Sequence, residues 1–479
     1  MSTRATTRGQ VSVRRIGLTL ALGGLMVVVD TTVTVVAVPA IVAGLDAPLA
    51  VAQWVTTGYL LGIVAVIPVG GWAMSRFGAR RVYLTALVAF TLFSALAGLA
   101  WSALSLAVFR FLQGLGGGLL NPVGQAIGLR AAPREQRGRL MSLLVLPLLI
   151  GPALGPLLGG WLIDAASWRW IFLMNVPLGA VALLVCARVL PLDTPDRTAA
   201  PRVDWVGLAQ LSGGAVALVL GATLLDRPGG PSVAAVAVLL SGLGVVGAFL
   251  WRARRVQAPL VDIGLLARRQ FRAAAAVLVC FGAAYFGSMS VLPLFVQGVH
   301  GDSAALVGLL VLPQAMVVGV VAQIATRLVD RVPARRIMLT GTATGLAGAA
   351  GLLATTVTDS GYPLIIASSV LLTAGAGATI MPTMTVALRD LDGAETPRGT
   401  TLLALLQQLA SALGVALIAL TLSGLVTTRT PGGVSEMLEL DEATRAVSRP
   451  DLAQAVGGAY VVPVLLLLAG VTIAARVRR

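Results

Sequence analysis

Asp30 and Arg110 are ionisable residues set in stretches that are otherwise almost wholly apolar, 16–41 and 105–128. Asp30 is the one carboxylate expected deep within such a stretch; the other nineteen acids fall in loops or near segment ends. Arg110 is the one cation placed well inside a segment rather than at its end. A carboxyl whose surroundings change can bind and release a proton, because burial favours its neutral form and a nearby cation its charged form. A charge at a bilayer centre costs roughly 2.5–3.5 kcal/mol on insertion scales, so Asp30 is expected to face the protein interior. The plainer alternative is a neutral Asp hydrogen-bonded to a neighbouring helix. At about 1.5 Å per residue, Asp30 lies about 15 Å and Arg110 about 9 Å below the outer ends of their segments, a gap the Arg arm can bridge. Such a pair is either a proton-coupling device or a permanent salt bridge that only orders the helices.

Gln113, Gly117 and Asn121 follow Arg110 at i+3, i+7 and i+11 and form a polar stripe with it. Thr34, Gln53, Thr57 and Tyr59 early in the chain, with Tyr285, Ser288, Gln407, Gln408 and Ser411 late, suggest a wet, amphipathic substrate cavity. Each of these alone is equally readable as a packing hydrogen bond.

The elements that must carry these residues are long and apolar. Of the 479 residues, 57% are hydrophobic and 11% charged, too few charges to cover a soluble surface. Fourteen apolar segments are expected, at 16–41, 51–72, 82–101, 105–128, 140–163, 171–190, 206–225, 232–251, 271–297, 304–325, 337–357, 362–387, 400–426 and 453–475. Each is long enough to span a hydrocarbon core of about 30 Å. Weak alternation excludes a membrane β-barrel. The fold class is therefore an all-α polytopic membrane protein. The 35 basic residues, all Arg, put 29 in the tails and loops on the N-terminal side and five opposite (Arg169, Arg227, Arg429, Arg445 and Arg449). That asymmetry places both termini in the cytoplasm and explains the +15 charge without nucleic acid. Arg4, Arg8, Arg14 and Arg15 precede the first segment as in a signal peptide, but no convincing cleavage site follows, so an uncleaved helix is expected. The outer segment 427–452 has room for one short surface helix.

An internal repeat organises the segments. Ser75-Arg76-Phe77-Gly78-Ala79-Arg80-Arg81 follows the second, and Asp330-Arg331-Val332-Pro333-Ala334-Arg335-Arg336 the tenth. Two six-helix halves would put the repeat six segments apart; here it falls eight apart, so two extra helices lie between. The expected division is 1–190 and 256–479 for the two six-helix bundles and 191–255 for the insert. The fifth segment carries Gly151, Gly155 and Gly159 at i+4 spacing, a smooth face for close helix approach. Pro152 and Pro156 on the same stretch favour a hinge or gate.

These motifs resemble the major facilitator superfamily, and specifically its fourteen-helix drug–proton antiporters. Asp30-Thr31-Thr32-Val33-Thr34-Val35-Val36-Ala37-Val38-Pro39 is similar to the first-helix motif, Arg110-Phe111-Leu112-Gln113-Gly114 to the fourth-helix motif, and Gly151 to Gly160 to the antiporter motif of the fifth helix. Ser167-Trp168-Arg169-Trp170-Ile171-Phe172-Leu173-Met174-Asn175-Val176-Pro177 resembles the outer hallmark of that branch. The resemblance implies proton coupling at Asp30 and Arg110 and gating by Ser75, Arg76, Gly78, Arg80, Arg81, Gly151, Gly155, Pro156, Gly159 and Asp330. Two positions depart from the pattern. Val35 stands where the family usually has Asn, and Ser75 where it has an Asp thought to lock the inner gate.

The implied function is efflux of hydrophobic or amphipathic small molecules in exchange for protons, by a monomer in the bacterial cytoplasmic membrane. A carrier of one endogenous metabolite or lipid is the alternative. No cofactor or metal is expected: Cys186, Cys280 and the single His300 are scattered. A Lys-free chain has no phosphate-binding loop for ATP, and a membrane-embedded enzyme would need more ionisable groups at depth.

Overall fold

In the computed structural model the described residues are 13–45, 49–133, 136–144, 146–193, 204–225, 232–256, 261–302, 304–329, 331–389, 391–392, 395–430 and 433–476. Their regular elements are all helical: α1 (Val13–Leu45), α2 (Leu49–Val66), α3 (Val69–Phe77), α4 (Ala79–Gly98), α5 (Ala103–Ala131), α6 (Arg137–Leu144), α7 (Leu146–Ala165), α8 (Trp170–Leu173), α9 (Asn175–Val189), α10 (Trp205–Leu225), α11 (Val233–Ala253), α12 (Arg269–Ser288), α13 (Val291–Leu294), α14 (Ala304–Leu328), α15 (Ala334–Val357), α16 (Tyr362–Leu388), α17 (Thr396–Thr427), α18 (Gly433–Glu439), α19 (Glu442–Gly458) and α20 (Val461–Ala475), with a short 3₁₀ turn, Ile263–Ala267, and a π-segment, Phe295–Val299. In lipid a helix satisfies its own backbone, which is why apolar runs of this length take no other form. Among the described residues twelve spans are long and apolar enough to cross a membrane, and thirteen with one bent pair. The chain is a multi-pass membrane protein.

The bent pair corrects the second expected segment. Instead of one straight helix, Trp54–Val66 and Val69–Phe77 meet at 55°, at Pro68, which has no backbone donor, followed by Gly70 and Gly71. The last segment also starts earlier than expected. Residues 427–452 hold α18 and most of α19 rather than one short surface helix, and α19 runs on to Gly458 before the chain turns into α20. Asp441 accepts a hydrogen bond from the Thr444 backbone and so fixes the start of α19. The sixth segment is interrupted at Met174, between α8 and α9.

Packing divides the helices. α1, α2, α4, α5, α7 and α9 contact one another, as do α12, α14, α15, α16, α17 and α20. The α10–α11 hairpin touches both groups, through α2 and α17, and the Ser212 hydroxyl donates to the Ala65 carbonyl at 2.7 Å. Side-chain bonds also tie the groups together at the face where α1 begins. Arg137 donates to the Arg389 carbonyl at 2.7 Å, and Gln323 donates to the Ser142 carbonyl.

Candidate functional site

Small residues allow the backbones around Asp30 to approach closely. A Cβ on Gly114 would lie 2.2 Å from the Tyr59 carbonyl, and one on Gly118 2.6 Å from that of Ile63, so α2 and α5 cross backbone against backbone. On the other side of α1, a Cβ on Gly151 would meet Val28 Cγ1 at 2.3 Å and one on Gly155 would meet Thr32 Oγ1 at 2.0 Å. The expected smooth face of α7 therefore rests on α1, and the Thr32 hydroxyl bonds across to the Gly151 carbonyl at 3.3 Å.

Within this frame the Asp30 and Arg110 side chains meet and are buried, at 1% and 0% exposure. Arg110 Nη1 donates to Asp30 Oδ2 at 2.6 Å and to Gln113 Oε1 at 2.7 Å, and Nε donates to the Val55 carbonyl at 3.3 Å. Gln113 Nε2 donates to Asp30 Oδ1 at 2.9 Å. A third donor to the carboxylate, Asn175 Nδ2, reaches the same oxygen at 2.8 Å. Asn175 also donates to Ser94 Oγ at 3.0 Å, which in turn donates to the Phe172 carbonyl at 2.9 Å. The guanidinium lies over the Tyr59 ring, 4.2 Å from its centroid, with Phe172 at 5.4 Å. Gly117 leaves room for the tyrosine: a Cβ there would sit 2.8 Å from its hydroxyl. One carboxylate thus accepts from three side chains on two other helices and is balanced by one cation. Arg110 Nη2, Asn175 Oδ1 and the Tyr59 hydroxyl are buried with no hydrogen-bond partner among the described residues, so the cluster can re-pair when its charge changes.

The expected stripe on α5 is split. Arg110, Gln113 and Gly117 belong to the cluster, while Asn121 is exposed beside Gly24 and Pro147, about three turns further along. Thr34 is buried and donates to the Asp30 carbonyl at 2.6 Å, a packing bond. Thr57 is buried too. The Gln53 and Pro156 side chains, and Asp330, lie outside the described residues.

Tyr285 and Ser288 line a separate pocket of about 60 Å³ in the second helix group, with Gln314, Ser369, Thr373 and Tyr460 among its walls. Gln407 and Ser411 are half-buried on α17 and bond along their own helix, Ser411 Oγ to the Gln407 carbonyl at 2.9 Å.

At the α3–α4 turn, Ser75 bonds to the Gly71 carbonyl at 3.0 Å. Arg76 and Arg81 are exposed. The carboxylate there comes from the segment after α9: Asp193 accepts from the Arg80 backbone at 3.2 Å, at the start of α4, where a negative charge suits the helix dipole. Arg80 Nη2 holds the end of α9 through the Ala187 carbonyl at 2.5 Å. Gly78 turns with φ +88, and a Cβ on it would lie 3.0 Å from Asp193 Oδ1, so glycine is required twice over.

The fit of the sequence to known proteins decides the family. It matches the Major Facilitator Superfamily over residues 20–204 and again over 203–415. The chain belongs to the major facilitator superfamily. It is a transporter and not an enzyme. Among curated relatives of this superfamily member, a protein called multidrug resistance protein B homolog from Mycobacterium tuberculosis (strain ATCC 25618 / H37Rv) is 35% identical over 407 residues, 84% of this chain and 75% of that protein. A putative multidrug resistance protein MdtD from Yersinia enterocolitica is 31% identical, covering 88% of this chain and 89% of its own. Among solved structures, the human organic anion transporter MFSD10 superposes with a TM-score of 0.62 at 15% identity, over 95% of this chain and 99% of that one. The proton:xylose symporter XylE gives 0.59 at 16% identity, over 96% of each.

Asn175, Ser94 and Asp193 are the site residues that the sequence reading did not assign. Asn175 carried a signal, as a lone carboxamide beside an apolar run within the motif 167–177. Ser94 carried none, since a serine in an apolar helix usually bonds to its own backbone.

Proposed function

We propose that the protein exports hydrophobic or amphipathic small molecules across the bacterial cytoplasmic membrane in exchange for protons. The observation that carries this reading is the buried Asp30 carboxylate, held by Arg110, Gln113 and Asn175 within the transporter fold. A structural ion pair needs only two partners. This cluster adds two neutral amides and leaves three polar atoms unpaired, an arrangement suited to exchanging bonds. A proton on Asp30 removes the charge that holds Arg110 Nη1, and the guanidinium is then held only by its existing bonds to Gln113 and the Val55 carbonyl. That switch links protonation to the relative positions of α1 and α5. The relatives named for multidrug resistance, at 31–35% identity, support drug efflux.

The same reading takes the bundles as 1–190 and 256–479 with the insert 191–255 between them, giving fourteen spans once α6 and α7 are counted as the fifth. Both termini are then cytoplasmic. The bonds from Arg137 and Gln323 close the cytoplasmic face, as in a state open to the outside, and the α1–α7 contact at Gly151 and Gly155 is the joint on which that state turns.

Uphill substrate uptake into everted vesicles tests the proposal. Asp30→Asn keeps the volume and most hydrogen bonds but cannot cycle a charge, so proton-driven uptake is lost while the protein still inserts. Wild-type uphill transport by this variant would make Asp30 structural.

A further inference from the structure

The loop repeat falls eight segments apart, and so do the two polar sites. Asp30, Val55, Ser94, Arg110 and Asn175 lie on segments one, two, three, four and six. The pocket walls come from segments nine, ten, eleven and twelve and the turn into fourteen, through Tyr285, Gln314, Leu352, Ser369 and Tyr460. Depth matches as well. Arg110 stands seven residues into α5 and Ser369 seven into α16; Asp30 is seventeen residues into α1 and Tyr285 sixteen into α12. The pocket is the counterpart of the proton site, built without a charge.

The pocket is not simply filled with hydrocarbon. Ser369 is 3% exposed, and its buried hydroxyl has no hydrogen-bond partner among the described residues. Tyr285 lies against Thr373, and Ser288 spends its proton on the Ala284 carbonyl at 2.6 Å. Gln314 stands opposite on α14, and exposed Met289 marks the rim. An unpaired buried hydroxyl is destabilising, and a ligand group that bonds to it removes that penalty. A volume of about 60 Å³ has room for a few water molecules, far below the roughly 300–1,000 Å³ of a drug-sized pocket. It admits a functional group, not a whole substrate.

From this we infer that the pocket is a hydrogen-bonding subsite for one small uncharged polar group, a hydroxyl or carbonyl, of a substrate whose apolar body stays outside it. This rests on the export reading above and deepens it. Ser369 is the specificity residue, with Thr373 and Gln314 beside it. Charged groups are excluded, because no described residue in the pocket can balance them.

Equilibrium binding to purified full-length protein tests the subsite with two probes. Chloramphenicol is neutral and carries hydroxyls; tetraphenylphosphonium is a cation with no hydrogen-bonding group. Ser369→Ala is expected to weaken chloramphenicol binding about fivefold to tenfold, in line with one hydrogen bond, and to leave tetraphenylphosphonium unchanged. Thr373→Val gives the same pattern with a smaller loss. Ser369→Cys should be protected from a small thiol reagent by chloramphenicol and not by the cation. Chloramphenicol binding that is undetectable, unaffected by Ser369→Ala, or weakened in step with the cation overturns the subsite. Loss of uphill export with these affinities intact would instead count against the proton-coupling reading.

Discussion

The Asp30 cluster and the Ser369 pocket occupy matching places in two groups of helices, and they solve the problem of buried polarity in opposite ways. The first brings a carboxylate, a guanidinium and two amides into mutual hydrogen bonds, with Tyr59 stacked on the cation. The second uses hydroxyls and one amide and keeps a small cavity. On the proposed reading, a repeat-built transporter places its energy source on one side and its recognition chemistry on the other without changing the backbone plan. The cost of the charged side is that its members depend on one another; the uncharged side tolerates change.

That contrast is open to direct attack, and the largest effect is expected from charge. Arg110→Met leaves Asp30 buried without its cation, and breaking such a pair typically costs about 3–5 kcal/mol. Ser369→Arg puts an unpaired cation at the same depth in the other group, at about 2.5–3.5 kcal/mol on insertion scales. Both variants should show sharply reduced yield of folded protein by fluorescence-detection size exclusion. A well-behaved Ser369→Arg would mean that the second pocket hides a counter-charge.

Next in size is the contact that carries α1. Gly155→Leu should reduce export to background, since even a Cβ at this position meets Thr32 at 2.0 Å. The gain in helix propensity, at most about 1 kcal/mol, cannot offset the separation. Wild-type drug tolerance in cells expressing the variant would detach helix approach from transport.

A moderate effect is expected from charge balance. With one carboxylate in the first site and none in the second, a monocation exchanged for one proton moves no net charge. Its export should follow the pH gradient and be nearly indifferent to membrane potential, whereas neutral substrates respond to both. Dications should move about tenfold or more slowly, because a second desolvated charge has no partner. Proteoliposomes with the two gradients set independently decide this, and potential-driven monocation export would require another coupling acid.

The smallest effect is at Asp193. Asp193→Asn removes a charge worth about 0.3–1 kcal/mol at the start of α4 and keeps the hydrogen-bonding shape. Export should slow by a few-fold without loss of protein, and complete inactivation would make this carboxylate a principal lock.

Much of this was readable from residue types alone, because lipid allows so few solutions. Apolar length located the helices, and the isolation of Asp30 and Arg110 in such stretches was enough to pair them. Their neighbours were harder. Asn175 reaches Asp30, and Ser94 reaches Asn175, with α8 and α9 set against α4 on either side of the break at Met174, which no local pattern announces. The bend at Pro68 was legible in hindsight from one imino acid and two glycines, but a proline in a membrane helix more often leaves it nearly straight. Asp193 escaped notice because its partner, the α4 start, is distant in sequence. The same distance hides the cluster, at the face opposite the start of α1, in which His300 Nε2 meets Asp359 at 2.8 Å and Arg449 Nε meets the same carboxylate at 2.6 Å.

The bonds from Arg137 and Gln323 across the α1-side face end on main-chain carbonyls of Arg389 and Ser142. A carbonyl is present whatever side chain follows it, so the receiving half of this latch cannot be lost by substitution. Genetic screens for transporters stuck with that face open should therefore return changes at positions 137 and 323, and leave 142 and 389 silent. The latch is asymmetric in its heredity: one partner can drift freely, and the other must hold its place.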